Sequence, residues 1–256
     1  MIFYTDTTFI GIDPTAGQRP FVYAALNNEL RLMALGQGEM NDILAFAAGQ
    51  RRALVAVCAP RQPNQGVMEN SGIRQQFSPP PRPGRWTSFR MAEYQLRQHN
   101  ISAPRTLAKE EDCPNWMQAG FNLYRRLEGL GYRCFPTDGS DHQTIEVYPH
   151  ACFTTLLGCH PFPKYTLEGR IQRQLILYEQ KVGVPDPMRV FEEITRHRLL
   201  KGTLPLDELY SPGELDALVA AYTACLAATA PERVSVMGHA VEGQIYLPAA
   251  ELKARY

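Results

Sequence analysis

Residues 7–17 read Thr-Thr-Phe-Ile-Gly-Ile-Asp-Pro-Thr-Ala-Gly, and this stretch decides the fold. Its first six residues are apolar or β-branched, which predicts a buried strand, and Asp13, Pro14 and Gly17 predict the turn that ends it. Open α/β sheets place their sites at the carboxyl ends of strands, so Asp13 is positioned to bind a ligand. A carboxylate that only caps the turn would produce the same pattern.

The pattern after this strand predicts a sheet with both antiparallel and parallel strands. Two short strands, 21–26 and 30–35, are joined by a hairpin-like connection. A helix over 39–50 followed at once by an apolar strand over 53–57 predicts a parallel crossover. Later patterns predict helices over 88–98, 115–130, 167–181, 187–200 and 211–228, and strands over 144–148 and 244–247.

These elements predict an α/β protein whose mixed sheet has three antiparallel opening strands, then parallel strands, with helices around it. Proline-rich irregular sequence interrupts the pattern after residue 60. We therefore predict one domain over residues 1–256, with a helical and irregular insertion over 61–135.

Composition restricts the class of protein. The chain has 256 residues, is 45% hydrophobic, and carries 26 basic against 26 acidic side chains. A large core is therefore possible, whereas nucleic acid would have to be held by a local basic patch. The sequence shows no secretory signal and no apolar run long enough to span a bilayer, and its six cysteines are scattered. We expect a cytoplasmic protein with reduced thiols and no membrane partner.

Two further carboxylates could join Asp13 in binding a metal ion. Glu146 interrupts an apolar strand, and Asp216 lies near the start of an alanine-rich helix. Mg²⁺ prefers such hard oxygen ligands, and two-metal phosphoryl transfer needs acids that converge from different elements. The alternatives are an exposed Glu146 on an edge strand and an Asp216 that only interacts with the helix dipole.

Six motifs, in order along the chain, resemble the DUF429 family, whose members are predicted ribonuclease H-like nucleases. They are Gly11-Ile12-Asp13, Phe89-Arg90-Met91-Ala92-Glu93-Tyr94-Gln95-Leu96-Arg97, Glu146-Val147-Tyr148-Pro149-His150, Gly169-Arg170 with Arg173, Leu215-Asp216-Ala217, and Glu242-Gly243-Gln244-Ile245-Tyr246-Leu247-Pro248.

The resemblance implies a ribonuclease H-like sheet, with Asp13 and Asp216 as metal-binding acids. Such families often carry an aspartate directly before Ala-Pro. In this chain the corresponding stretch is Val57-Cys58-Ala59-Pro60, with Cys58 in place of the aspartate. Cysteine is a poor ligand for Mg²⁺, so this site has one hard oxygen donor fewer unless Glu146 or Glu93 replaces it.

Basic side chains cluster in two regions that could contact phosphate. The first spans residues 61–109 and includes Arg90 and Arg97, with aromatic residues between its arginines. The second contains Lys164, Arg170 and Arg173. Ordinary solvated arginines on an irregular insertion are the favoured explanation for the first cluster.

We therefore expect a nuclease that hydrolyses nucleic acid with Mg²⁺ or Mn²⁺. Its expected residues are the ligands Asp13, Glu146 and Asp216, the proton-transferring His150, and the substrate-binding Arg90, Glu93, Arg97, Lys164, Arg170 and Arg173.

The sequence leaves four alternatives open. The first is a ribonuclease H-like binding module without turnover, and the second is a thiol enzyme that uses Cys58. The third is a zinc site among His150, Cys152, Cys159 and His160, although their spacing fits no standard finger. The last is an ATPase, for which the chain shows only one phosphate-loop-like stretch.

Overall fold

A single mixed sheet forms the centre of the computed structural model, which describes residues 6–15, 20–82 and 84–256. In these ranges its strands are β1 Thr8–Asp13, β2 Phe21–Leu26, β3 Leu32–Gly38, β4 Ala53–Val57, β5 Arg133–Cys134, β6 His142–Val147, β7 Ser235–His239 and β8 Gly243–Leu247. They lie in the order β3-β2-β1-β4-β6-β8-β7, and β5 pairs with β6.

The strand directions confirm the predicted fold class. β1, β2 and β3 pair antiparallel, whereas β4, β6 and β8 continue parallel to β1, and β7 closes the edge antiparallel to β8. This mixed sheet flanked by helices is consistent with a ribonuclease H-like fold. Gly17, predicted to form part of the turn after Asp13, lies outside the described residues.

The described helices are α1 Met40–Ala48, α2 Ser71–Arg74, α3 Met91–Gln98, α4 Asn115–Gly129, α5 Pro149–Leu157, α6 Leu167–Glu179, α7 Arg189–Glu193, α8 Arg196–Leu200 and α9 Pro212–Thr229. Of these, α2, α3 and α4 lie in the segment 61–135 predicted to be an insertion. Within the described ranges, no helix has the length and apolar character needed to cross a membrane.

Several local predictions were wrong or incomplete. The single helix predicted over 187–200 is two short helices, because Thr195 leaves the helical conformation and caps α8 through the Arg198 N–H. The strand predicted over 30–35 begins two residues later and ends three residues later, as β3. The elements α2, α5, β5 and β7 were not predicted. Proline opens α5 directly after a strand, which is its favoured helical position, and β7 is a partly exposed edge strand without clear alternation.

Helix α9 packs so tightly on β1 that the backbones touch. A Cβ atom added to Gly11 would lie 1.9 Å from the carbonyl oxygen of Ala217, so only glycine fits there. Ser211 and Glu214 form a capping box that starts α9 beside the end of β1. This contact brings the first turn of α9, with Asp216, to the carboxyl end of β1, where Asp13 lies.

Side-chain alternation places Glu146 on the other face of the sheet. Its neighbours Ile145 and Val147 pack into the core that contains α9. Ile12 and Val57, level with Glu146 in the register, pack into the second core with α1 and α4. Because successive residues of a strand point to opposite faces, Glu146 points away from α9.

Candidate functional site

Two carboxylates, Asp13 and Asp216, lie together where β1 meets the first turn of α9. Asp216 is buried, and Asp13 is partly buried with its Oδ1 accepting the Thr15 backbone N–H at 3.0 Å. Burial and the nearby charge of Asp216 raise the pKa of Asp13 to about 7, although the Thr15 N–H and Lys164 oppose this shift. Burial also raises the pKa of Asp216, against the lowering effect of Lys164. The two acids therefore repel each other at neutral pH.

Lys164 is the cation that contacts Asp216 directly. Its Nζ donates to Asp216 Oδ2 at 2.8 Å, and its ammonium is 5.4 Å from the ring centroid of Tyr165. Burial alone would lower the pKa of Lys164, but Asp216 and Asp13 raise it overall, so the side chain stays charged. One lysine thus faces two carboxylates, and the three groups together carry a net negative charge when both acids are ionised.

These groups lie on the wall of a cleft with a volume of about 1030 Å³. His150, Arg173 and the aromatic side chains of Tyr148, Phe162 and Tyr165 also line it. Its size is at the upper limit of sites for small ligands, and its open form suits a longer molecule.

His150, at the start of α5, lines the same cleft as the two acids. Burial, followed by the positive surroundings of His160, Arg173 and Lys164, lowers the pKa of His150 to about 4. The imidazole rings of His150 and His160 are parallel, with centroids 6.0 Å apart. His150 is therefore neutral at pH 7, and its lowered pKa makes it a weaker base than a free imidazole.

Glu146 does not lie with Asp13 and Asp216, contrary to the expected three-acid cluster. Its carboxylate forms a two-pronged ion pair with Arg90, with both N–O distances 2.8 Å, and accepts the Arg61 backbone N–H at 3.0 Å. Both side chains are buried, and within the described ranges no group of three or more His, Cys, Asp or Glu side chains is placed to hold a metal ion. Glu146 and Arg90 are thus paired with each other inside the protein.

Glu93, Arg97 and Arg170, expected to bind substrate, instead contact the protein itself. Glu93 is buried and accepts the N–H and the hydroxyl of Thr106, while burial raises its pKa to about 7. Arg97 donates to the carbonyl of Ala103 and stacks on a phenylalanine ring. Arg170 donates to the carbonyls of residues 209 and 210. Of the expected substrate-binding cations, Lys164 and Arg173 line the cleft.

The thiol and zinc alternatives gain no support from the arrangement. Cys58 is buried, and its Sγ lies 3.5 Å from the carbonyl oxygen of Asp216. Burial and both aspartates raise the pKa of Cys58 well above its usual value, whereas a thiol nucleophile needs a lowered pKa. Cys152 is also buried, and its Sγ lies 3.8 Å from the hydroxyl of Thr223 and from the carbonyl oxygen of Tyr246.

Phe162 and Tyr165 are cleft residues that the sequence reasoning missed. They belong to the stretch His-Pro-Phe-Pro-Lys-Tyr, residues 160–165. Prolines on both sides of an aromatic residue, close to the basic cluster, were the available clue. Their exposure, 54% for Phe162 and 77% for Tyr165, becomes evident only in the folded chain.

Comparison with known proteins gives one result. The family model described as "Protein of unknown function (DUF429)" matches residues 11–242. No significant match is found among curated proteins or solved structures.

Proposed function

The chain belongs to the DUF429 family, and we propose that it hydrolyses phosphodiester bonds of nucleic acid with one divalent cation, Mg²⁺ or Mn²⁺, bound by Asp13 and Asp216. The observation that carries this proposal is the mutually repelling Asp13–Asp216 pair on the wall of a large cleft. Perturbed acids in a cleft are typical of functional sites, since a structure gains no stability from keeping them together.

The residues fit one hard cation. A divalent ion would relieve the repulsion that raises the pKa of Asp13. Mg²⁺ is commonly bound through one or two carboxylates, with water and phosphate oxygens at its remaining positions. A two-ion arrangement does not fit, because Glu146 points to the opposite face and Cys58 supplies no hard oxygen.

The chain's own side chains would then orient the substrate and move the proton. A bound cation would polarise the phosphate and lower the pKa of water. Lys164 would contact a phosphate oxygen as a point charge while it keeps Asp216 in place. The oxygen of the attacking water would bond to phosphorus as the bond from phosphorus to the leaving nucleotide oxygen breaks, and that oxygen would take a proton from solvent. The imidazole of His150 would accept the proton of the attacking water, since a phosphate beside Lys164 and Arg173 offsets the charges that lower the pKa of His150.

The test is cleavage of labelled single-stranded, duplex and hybrid oligonucleotides with Mg²⁺ or Mn²⁺. We expect D13N and D216N to lose at least about 100-fold in rate, the effect of removing one group that stabilises a transition state. D138N is the matched control, because Asp138 is an exposed aspartate away from the cleft. Equal rates for the wild type and D13N would refute the proposal.

Calorimetry with Mn²⁺ tests the cation separately. Binding by the wild type and D138N, but not by D13N, is expected. A wild type that binds no Mn²⁺ would exclude the cation from the proposed function.

The second candidate is a binding module without turnover. The observation that favours it is the ion pair between Lys164 and Asp216, in which the ammonium already contacts a carboxylate oxygen that a metal ion would need. Binding of nucleic acid without cleavage under any cation would support this function over hydrolysis.

A further inference from the structure

Phe162 and Tyr165 are two exposed rings beside the acidic pair. Both line the cleft, and Lys164, between them in sequence, contacts Asp216 directly. The Cα atoms of Phe162 and Lys164 are at most about 7 Å apart, the reach of two extended residues. A base on either ring would therefore place its phosphate close to Asp13 and Asp216.

The backbone that carries Phe162 is held firmly by α6. The Phe162 N–H donates to Gln172 Oε1 at 2.8 Å, and its carbonyl accepts from Arg173 at 2.8 Å. The next carbonyl, of Pro163, lies 1.9 Å from where a Cβ on Gly169 would be, so the loop and the helix are in direct contact. An aromatic ring on a fixed backbone loses little conformational entropy when it binds a flat partner.

The charges of the cleft favour stacking over phosphate contacts. Lys164 and Arg173 are its basic residues among those described, and both already contact protein oxygens. Together with zero net charge of the chain, this gives weak attraction for the phosphates of a duplex. Bases inside a duplex offer no free face to an aromatic side chain, whereas unpaired bases do.

We propose that Phe162 and Tyr165 stack on unpaired bases, so that single-stranded nucleic acid is the substrate class of this cleft. The inference rests on the proposed function for its biological meaning. Stacking is measured as affinity for an oligonucleotide, which needs no turnover.

The experiment measures binding of a fluorescent 12-residue oligothymidylate, and of its duplex with oligoadenylate, by anisotropy in EDTA. Stacking on one base contributes enough that we expect F162A and Y165A each to weaken single-strand binding by about 5- to 100-fold. F162W should restore it. F191A is the matched control, because Phe191 is also 54% exposed but lies outside the cleft.

Salt dependence supplies a second readout. With two cations, Lys164 and Arg173, among the described residues of the cleft, the plot of log affinity against log salt should have a slope of about −1.4. A slope twice as steep would mean that phosphates dominate and would overturn the inference. Duplex binding as tight as single-strand binding, full affinity in F162A and Y165A, or no binding by the wild type would also overturn it.

Turnover distinguishes this inference from the proposed function. Single-strand binding that depends on Phe162, without cleavage under any cation, would refute hydrolysis and support stacking. Cleavage that depends on Asp13 but is unaffected by F162A and Y165A would support hydrolysis and refute stacking.

Discussion

Replacing Glu146 with glutamine removes the negative charge that balances Arg90 in the protein interior. Arg90 is completely buried and Glu146 is 5% exposed, and they share two N–O contacts of 2.8 Å. Glu146 has the largest effect of the acids near Arg90, ahead of Glu93 and Glu242, and removing one partner of such a buried pair costs about 3–5 kcal/mol of the free energy of unfolding. Domains are stable by only about 5–15 kcal/mol, so E146Q should be seriously destabilised.

The assay is urea unfolding followed by circular dichroism, together with thermal melting. For a chain of this length about 1 kcal/mol corresponds to 2–4 °C, so the melting temperature of E146Q should fall by about 6–20 °C. The matched control is E128Q, because Glu128 pairs with Arg61 at 2.6 Å but both side chains are partly exposed. Exposed pairs contribute about 1 kcal/mol or less.

A double variant separates the buried ion pair from a metal-binding role. R90M combined with E146L should recover most of the stability, since apolar replacement of a whole buried pair is often neutral or stabilising. Equal stability of E146Q and the wild type would refute the structural role of Glu146. Lost Mn²⁺ binding in a fully stable E146Q would return this residue to the metal site.

Three more perturbations test the site and its packing. Folded Asp13 keeps its proton up to about pH 7, whereas the unfolded chain loses it near pH 4, so the free energy of unfolding should fall as pH rises between these values. In D13N that decline should be smaller by about 1.4 kcal/mol per pH unit. Equal slopes in D13N, D138N and the wild type would contradict the pKa assigned to Asp13. In urea unfolding, G11A should lower the free energy of unfolding by about 1–3 kcal/mol or more, because the added Cβ would overlap with the backbone of α9. The control G129A should not lower it, because Gly129 is exposed on a helix and has free space around it. Cys58 should react with iodoacetamide at pH 7.5 more slowly than the exposed thiols, as followed by mass spectrometry of peptides, and faster reaction would contradict its burial.

Local sequence patterns predicted most of the sheet. The strand 53–57 was predicted with its observed bounds, and 21–26 likewise, because continuous apolar residues bounded by turns identify buried strands. The start of α9 followed from its capping box at Ser211. These features depend on residues a few positions apart, and so they are evident without the fold.

Asp13 and Asp216 were also identified from the sequence, as acids at the end of a strand and in the first turn of a helix. Their pairing depends on the contact of Gly11 with α9, which joins segments about 200 residues apart. The resemblance to a family anticipated this pairing, whereas local pattern alone left a turn cap and a dipole interaction as equal alternatives.

The partners of Glu146 were decided only by tertiary structure. Its strand was predicted, but a carboxylate in an apolar strand points to one face or the other according to register. Here the register turns Glu146 away from Asp13 and toward Arg90, 56 residues earlier in the chain. The sequence by itself therefore determined which acids lie on the sheet and at the helix start, through the spacing of apolar residues and the capping box. Only the folded chain decided which of them share a site, because side-chain direction and long-range packing depend on how distant segments align.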